Sequence, residues 1–368
     1  MRLTRITGSI TMLALAAASL LSFVAFAPSV TSSPPVASTH RGAAPARVER
    51  VPHYQHILVI VLENRGYDEI IGNPHARRLN ELARAYGLAT NYYSVIHPSE
   101  PNYVALIGGS SFGITDDAAY TSTWNGVPHT INALSLVDQL EAAHLTWKSY
   151  QGSLPYVGYT GGFYPSKQWQ LYASKHDPFL NFAHVQYNAA ERRNIVPDTQ
   201  LVPDVQNGRL PNFSFIAPDM CHDMHGEWPT CPLPQRAGDA NDQNLVEQSD
   251  AYVGYLVRTI LTSRVWARGY NAIFITWDEN DHNLISSGSV AGCCNANPGG
   301  GHVATIVITS YGPRHIRDSA PYNHYALLRT IQTAFRLGCL QNTCDTTHVG
   351  LMERLLAVRS GKPSAGKK

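Results

Sequence analysis

The sequence predicts an α/β fold with a mostly parallel central sheet and helices on both of its faces. Apolar runs rich in β-branched residues, such as residues 56–62 and 271–277, are typical of strands buried on both faces of a parallel sheet. Segments with helical periodicity, such as residues 76–86, alternate with these runs. Since strands that alternate with helices usually form parallel sheets, we expect one large domain of this class.

The domain is expected over residues 52–358 of the 368-residue chain. Residues 1–27 combine a basic start, an apolar run and an A-x-A pattern, which is typical of a cleaved secretory signal. A retained membrane anchor is the alternative, because the run is near the lower length limit of a spanning helix. Residues 28–51 are expected to form a disordered linker, and residues 359–368 a disordered tail. The sequence thus predicts an exported protein of the cell envelope or medium, with no stable membrane span after cleavage.

Composition excludes some partners and fits the predicted compartment. A net charge of +1 gives no electrostatic reason for nucleic-acid binding. The oligomeric state is left open by the sequence. The six cysteines suit an oxidising compartment. Local disulfides are expected within the segments 221–231 and 339–344, whereas Cys293 and Cys294 are expected to bond elsewhere or to each other.

The remaining regular elements continue the alternation of strands and helices. Strands are predicted at residues 212–217 and 301–308, and helices at residues 239–263 and 324–335. Residues 110–212 are less regular and rich in Gly, Pro, Tyr and Trp, apart from a helix near Ser135–Ala143 and a strand that follows it. We expect this aromatic segment to form a lid or a pocket wall.

One hydroxyl group stands out as a candidate nucleophile. Ser99 lies between Pro98 and Pro101, which predict a stiff, non-helical turn because proline fixes φ and disfavours helix at the preceding residue. A buried helix is expected to follow through residues 103–107, with Asn102 near its start. The unpaired N–H groups at the start of that helix would suit an anion such as phosphate.

Polar side chains follow three of the predicted strands, and a histidine begins a fourth. Because the carboxyl ends of parallel strands meet at one edge of a sheet, these groups can converge. Carboxylates that close together would repel one another unless a cation neutralised them, so we expect a divalent metal. Imidazole with carboxylate suits zinc, manganese or iron, whereas oxygen ligands alone would suit magnesium or calcium. The candidate ligands are Glu63, Asn64, Asp219, His222, Asp223, Asp278, Glu279 and His302.

A metal next to Ser99 would lower the pKa of its hydroxyl and produce a nucleophile at neutral pH. The same charge, with Asn102 and helix N–H groups, would stabilise a transferring phosphoryl group. The sequence lacks both a glycine-rich phosphate loop and a G-x-S-x-G motif, which argues against a P-loop enzyme and a common α/β-hydrolase.

Several short blocks between residues 56 and 335 together resemble the bacterial phosphoesterase family. This family includes acid phosphatases and phospholipases C and is similar in fold to alkaline phosphatase. The blocks are E-N-R at 63–65, H-P-S-E-P-N-Y at 97–103, K-H-D-P-F at 175–179, D-M-C-H-D-M-H at 219–225, W-D-E at 277–279 and G-H-V at 301–303.

The resemblance implies Ser99 as the nucleophile, with His176 and His302 assisting catalysis. Substrate binding is assigned to Asn102, His97, Lys175 and His222. The implied metal ligands are Glu63, Asn64, Ser99, Asp278 and Glu279. By similarity to the wider superfamily, a second metal would use Asp219, Asp223 and His302, with His222 and His225 as competing ligands.

The predicted function is a secreted, metal-dependent acid phosphatase that hydrolyses phosphomonoesters through a phosphoserine. Phospholipases of the family tend to carry threonine at the nucleophile position and to be longer, so Ser99 favours the phosphatase. The alternatives are a phospholipase C acting on phosphatidylcholine-type diesters, a non-catalytic metal-binding protein, and a metal-independent esterase that uses Ser99 with His302 and an aspartate.

Overall fold

A computed structural model describes residues 51–123, 126–233, 238–280 and 289–357 of the chain. The predicted signal segment, the tail and all of the predicted linker except Val51 lie outside these residues. Among the residues described, no helix combines the length and the apolarity that a membrane span requires.

The predicted α/β fold with a mostly parallel sheet is confirmed. Nine of the strands in the described residues form one sheet in the order β10-β2-β9-β8-β1-β7-β3-β6, with β11 also paired to β2, and only β9 runs antiparallel to its neighbours. In chain order, the strands are β1 (His56–Leu62), β2 (Gly87–Tyr93), β3 (Trp147–Gln151), β4 (Phe163–Ser166), β5 (Trp169–Ala173), β6 (Ile195–Pro197), β7 (Phe213–Ala217), β8 (Asn271–Trp277), β9 (His302–Thr309), β10 (Ile316–Asp318) and β11 (Tyr322–Asn323).

The helices pack around this sheet, α2 against α7 and α3 against α8. In chain order, they are α1 (Tyr67–Ile70), α2 (Arg77–Ala85), α3 (Ser99–Gly108), α4 (Leu136–Ala142), α5 (Ala183–Gln186), α6 (Leu201–Gln206), α7 (Ala240–Leu261), α8 (His324–Ala334) and α9 (Glu353–Leu356). The predicted strands and long helices are found close to their predicted bounds, because each long apolar run is buried in one contiguous core.

The local structure at Ser99 was predicted wrongly. Ser99 does not lie in a non-helical turn but is the first residue of α3, and Pro98 is the N-cap with an extended backbone. Pro101 is tolerated in this first turn because an N–H group at that position would have no acceptor within the helix. The start of the helix therefore fixes the position of the serine side chain.

The aromatic segment 110–212 contributes more to the sheet than the sequence predicted. Strands β3 and β6 from this segment extend the sheet beyond β7. Strands β4 and β5 form a separate antiparallel hairpin. Its function as a lid or pocket wall stays a prediction.

All six cysteines are paired in disulfides. Cys221 bonds to Cys231 and Cys339 to Cys344, as expected from their spacing. Cys293 bonds to its neighbour Cys294 rather than elsewhere in the chain, which decides between the two alternatives.

Candidate active site

The ends of three adjacent strands bring the candidate ligands together. Glu63 follows β1 directly, Asp278 follows β8, and Asp223 lies in the loop after β7. Backbone groups join these ends: Glu63 N–H donates to the Asp223 carbonyl at 2.8 Å, and Asn64 N–H donates to Asp278 Oδ1 at 3.0 Å. The strand-end argument from the sequence therefore identifies a real convergence of acidic groups.

Ser99 is buried within this group of carboxylates. Its Oγ lies 3.0 Å from Glu63 Oε2 and 3.4 Å from Glu279 Oε1, so either oxygen can accept the single hydroxyl proton. His97 Nδ1 contacts the other oxygen of Glu279. A hydroxyl held between two carboxylates is well placed to lose its proton.

His176 lies on the opposite side of Glu63. Its Nε2 is 3.0 Å from Glu63 Oε1, its Nδ1 is 3.5 Å from Asp223 Oδ2, and its ring stacks on Tyr103 with 4.9 Å between centroids. Burial, followed by the charge of Lys175, lowers the pKa of His176 well below its usual value. A neutral imidazole in this position can accept a proton or bind a metal.

Lys175 is close enough to these carboxylates to oppose the rise in the pKa of Glu63 that burial causes. Its Nζ forms an ion pair of 3.0 Å with Asp117 Oδ2. Although burial opposes the shift, Asp117 and then Glu63 raise the pKa of Lys175, so the ammonium group stays charged. Asp117 Oδ1 also accepts from the Glu100 N–H at 2.9 Å, which ties the lysine to the first turn of α3.

The residues fit a divalent metal, as judged from their buried oxygens. Glu63 Oε1, Asp223 Oδ2 and Asp278 Oδ2 are buried and make no well-formed hydrogen bond in the described part of the chain. His176 Nε2 is close to Glu63 Oε1, but the geometry of this contact is not that of a hydrogen bond. Buried polar atoms are normally paired, so three unpaired carboxylate oxygens at the ends of adjacent strands suggest a cation. Glu63, Asn64, Ser99, Asp278 and Glu279 would hold it.

The predicted second metal site is not brought together in the same way. Asp219 uses Oδ1 to accept from His222 Nδ1 at 2.7 Å and Oδ2 to accept from Ser153 Oγ at 2.8 Å. Its hydrogen bond with Asp223 is between backbone groups, since the Asp223 N–H donates to the Asp219 carbonyl at 2.9 Å. Asp219 and His222 therefore form a separate pair, and their assignments to metal and substrate stay predictions that these contacts do not support.

His302 lies at the same edge of the sheet as Glu63, but its strand, β9, is two strands away from β1. Its Nε2 lies 3.1 Å from the Thr90 carbonyl oxygen, and its ring stacks on Tyr67 with 4.4 Å between centroids. No described contact joins it to Ser99, because β9 is separated from β1 by β8. Its catalytic assignment is therefore an expectation without a supporting contact.

Asn102 is engaged with the loop before α3. Its Oδ1 accepts from the N–H groups of Val95 and Ile96, and its Nδ2 donates to the carbonyls of Ile96 and Pro98. These bonds occupy the amide that the sequence assigned to phosphate, and they position the loop that carries His97. The helix start offers few free donors, since Pro101 has no N–H and Glu100 N–H donates to Asp117.

Sequence reasoning missed Asp117. It lies in the irregular segment, 58 positions from Lys175, and no motif marks it. Despite its burial, Lys175 lowers the pKa of Asp117, so the pair is ionised. The sequence offers only one signal, the adjacent acids Asp116 and Asp117 in a segment poor in charge.

We expect the metal-free protein to become less stable as pH rises from about 7 to about 9. Burial raises the pKa of Glu63, Asp223, Asp278 and Glu279 in the folded state, and that of Glu100 to about 9. A group with a raised folded pKa stabilises the fold below its unfolded pKa and loses that contribution as pH passes its folded pKa. His176 and His324 do not oppose the trend, because burial lowers their pKa and keeps both imidazoles neutral in the folded protein over this range.

Thermal melts in chelator test this expectation. The melting temperature should fall with pH, and saturating divalent metal should weaken the dependence, because the metal replaces protons as the neutralising charge. A melting temperature that rises over this range would contradict the assignment of the cluster.

Comparisons with known proteins identify the family of this chain. The model of the Phosphoesterase family matches residues 75–338. A probable acid phosphatase of Kluyveromyces lactis is 32% identical over 56% of this chain and 45% of its own length. A phosphatidylinositol-3-phosphatase of Mycobacterium tuberculosis is 30% identical over 76% of this chain and 77% of its own length.

One solved structure supports the fold alone. A protein in the alkaline phosphatase superfamily from Vibrio parahaemolyticus aligns with a TM-score of 0.51 at 15% identity, over 77% of this chain and 66% of that one. The chain spans about half the length of the fungal acid phosphatases that it matches first. The predicted class, a phosphoric ester hydrolase, agrees with the matched family. The family match covers well over half of the sequence, and the chain therefore belongs to the Phosphoesterase family.

Proposed function

We propose that this protein is a secreted, metal-dependent phosphatase that hydrolyses phosphomonoesters through a phosphoserine intermediate. The observation that carries the proposal is the Ser99 hydroxyl, held between Glu63 and Glu279 at the first position of α3. The relatives named as acid phosphatase and phosphatidylinositol-3-phosphatase support a monoester substrate. The basic and apolar start of the sequence and the three disulfides support export.

In the first step, Ser99 Oγ loses its proton towards Glu63 or Glu279 and attacks phosphorus. The Oγ–P bond forms, the bond from phosphorus to the alcohol oxygen breaks, and the alcohol oxygen takes up a proton. A divalent metal, when bound by these residues, would lower the pKa of the hydroxyl and offset the charge on the phosphoryl oxygens. Lys175 adds a fixed positive charge on the side of Asp117.

In the second step, water attacks phosphorus and the Oγ–P bond breaks, releasing inorganic phosphate and the serine. His176 is suited to take the proton of that water, because burial keeps its imidazole neutral. His97 contacts Glu279, the carboxylate that lies 3.4 Å from Ser99 Oγ, and this contact orients the His97 ring beside the reacting group. The histidines thus serve the hydrolytic step, and the carboxylates serve the attack by serine.

Metal removal tests the proposal. We expect a chelator to abolish p-nitrophenyl phosphate hydrolysis by the purified protein, because a bound cation would lower the pKa of the Ser99 hydroxyl and offset the charge on the phosphoryl oxygens. Add-back of one divalent metal should restore activity, and a panel of metals identifies it.

Three outcomes would count against parts of the proposal. Full activity in chelator would favour the metal-independent esterase. Turnover of phosphatidylcholine but not of p-nitrophenyl phosphate under any metal would favour the phospholipase C. Stoichiometric metal binding without turnover of either substrate would favour a binding protein.

A further inference from the structure

We propose that the β4–β5 hairpin and the disulfide-closed loop 221–231 form a surface that docks on anionic phospholipid membranes. We call it the aromatic surface and define it by Tyr156, Tyr164, Trp169 and Trp228, which are 61%, 41%, 38% and 68% exposed. The inference rests on the proposed function, because it specifies the substrates of that function as lipids that carry a phosphomonoester. A cluster of large exposed aromatic side chains usually marks a binding surface.

The two segments of the aromatic surface are joined to each other. The Gln170 N–H of β5 donates to Glu227 Oε1 at 3.0 Å, and the Met220 N–H donates to the Leu171 carbonyl at 3.1 Å. The Cys221–Cys231 disulfide closes the loop, and its sulfurs pack with Leu245 and Leu171. Trp228 is therefore fixed beside the strand that carries Trp169.

Two rings of the aromatic surface, those of Tyr156 and Tyr164, are held in place by Tyr159. Tyr159 meets Tyr156, Tyr164 and Tyr172 edge to face, with 5.3, 6.3 and 5.7 Å between centroids. Rigid aromatic side chains lose little conformational entropy when they bind, so such a surface can dock at low cost. Mobile side chains would lose more conformational entropy on binding.

The same ring cluster connects the aromatic surface to the active site. Tyr172 is buried, and its hydroxyl lies 3.4 Å from Asp177 Oδ2, next in sequence to His176. The strand β5 that carries Trp169 leads within two residues to Lys175. A membrane held at the aromatic surface would thus lie on the side from which Lys175 and His176 enter the site.

The charge of this segment favours a negatively charged lipid surface. Residues 152–176 contain no Asp or Glu, and since Lys175 is paired with Asp117, Lys167 supplies their exposed positive charge. Lys167 is exposed at the turn of the hairpin, between Tyr164 and Trp169. The nearby acid, Glu227, is half-buried and accepts a backbone N–H. Tyr and Trp favour the headgroup region of a bilayer, and lysine is drawn to anionic lipids, so the pattern fits a membrane better than a protein partner.

Co-sedimentation of the full chain with lipid vesicles tests the docking surface directly. The vesicles are phosphatidylcholine alone or phosphatidylcholine with phosphatidylglycerol, neither of which is a phosphomonoester, so binding is measured apart from turnover. We expect the protein to bind the mixed vesicles, and the double variant Trp169→Ala/Trp228→Ala to lose about tenfold or more in partitioning, as expected for two large apolar side chains. Lys167→Glu should lower binding only to the mixed vesicles.

Tyr311→Ala is the matched control. Tyr311 is 43% exposed and follows the far end of β9, at the edge of the sheet opposite to the active site. This variant should bind vesicles like the wild type. All variants should hydrolyse soluble p-nitrophenyl phosphate at the wild-type rate, which also shows that they fold, whereas the tryptophan variant should lose kcat/KM on phosphatidate in vesicles.

The outcomes separate the two proposals. The docking surface would be overturned if wild-type protein hydrolyses p-nitrophenyl phosphate but binds neither vesicle type. It would also be overturned if the tryptophan variant binds vesicles as well as the wild type does. Vesicle binding without any phosphatase activity would overturn the proposed function and leave docking in place. Self-association that is lost with the tryptophans, without vesicle binding, would show a protein interface instead.

Discussion

Ser99→Ala is expected to lower kcat for p-nitrophenyl phosphate by about three orders of magnitude or more, as is usual when a covalent nucleophile is removed. The reason is specific to the geometry. Ser99 Oγ is within hydrogen-bond distance of both Glu63 and Glu279. Alanine removes the proposed nucleophile but keeps the helix start, since Pro98 is the N-cap and Ser99 itself makes no capping bond.

Steady-state kinetics and acid-quench trapping of the phosphorylated protein provide the measurement. Wild-type protein should accumulate label on Ser99 at short times, and the variant should not. Ser110→Ala, just past the other end of α3, is the matched control, because Ser110 Oγ accepts a bond from the Phe112 N–H and lies outside the carboxylate cluster. We expect that control to keep wild-type kcat. Near-normal turnover by Ser99→Ala would mean that water attacks phosphorus directly.

The sheet and the general location of the site could be predicted because both depend on local patterns. The run at residues 56–62 has to be a buried strand, and a carboxylate directly after it has to lie at the strand end. This reasoning identified Glu63 and Asp278 correctly as neighbours. It needed no knowledge of the loops.

The choice between Asp219 and Asp223 could not be made from the sequence. Both lie in one short run after β7, and which of them faces Glu63 depends on the path of the backbone. Asp219 accepts the N–H groups of Cys221 and His222, a local turn that directs its carboxylate back to its own loop. The Asp223 carboxylate, four residues further on, then lies 3.5 Å from His176 Nδ1.

Long-range pairs account for most of what the sequence could not reveal. Lys175 meets Asp117 across the irregular segment, and His97 meets Glu279 across 182 positions. Strand direction is equally hidden: β9 reads as one more buried run, yet it is antiparallel, which leaves His302 with Tyr67 and Thr90. Such pairings are fixed by packing of the whole chain and not by neighbours in sequence.

Asp242→Ala is expected to lower the free energy of unfolding by about 3–5 kcal/mol, the usual cost of removing one partner of a buried ion pair. Arg65 is buried directly after Glu63 and Asn64, and its Nη2 lies 2.8 Å from Asp242 Oδ1 of α7. The same guanidinium donates to the carbonyls of Asn64 and Met224, so it joins the loops after β1 and β7. Without the carboxylate, a buried positive charge would lose its main electrostatic partner.

Urea unfolding of the metal-free protein measures this loss, and Arg78→Ala is the matched control. Arg78 pairs with Asp250 of α7 at 3.2 Å, but Arg78 is half-exposed and Asp250 keeps the N–H groups of residue 78 and Leu79 as donors, so the loss should cost about 1 kcal/mol or less. Asp242→Asn keeps an acceptor for the Gly238 N–H and should still lose most of the stability, because the charge is what Arg65 requires. A loss at Asp242 no larger than that at Arg78 would mean that Arg65 does not depend on this ion pair, and that α7 does not hold the loops after β1 and β7 in place.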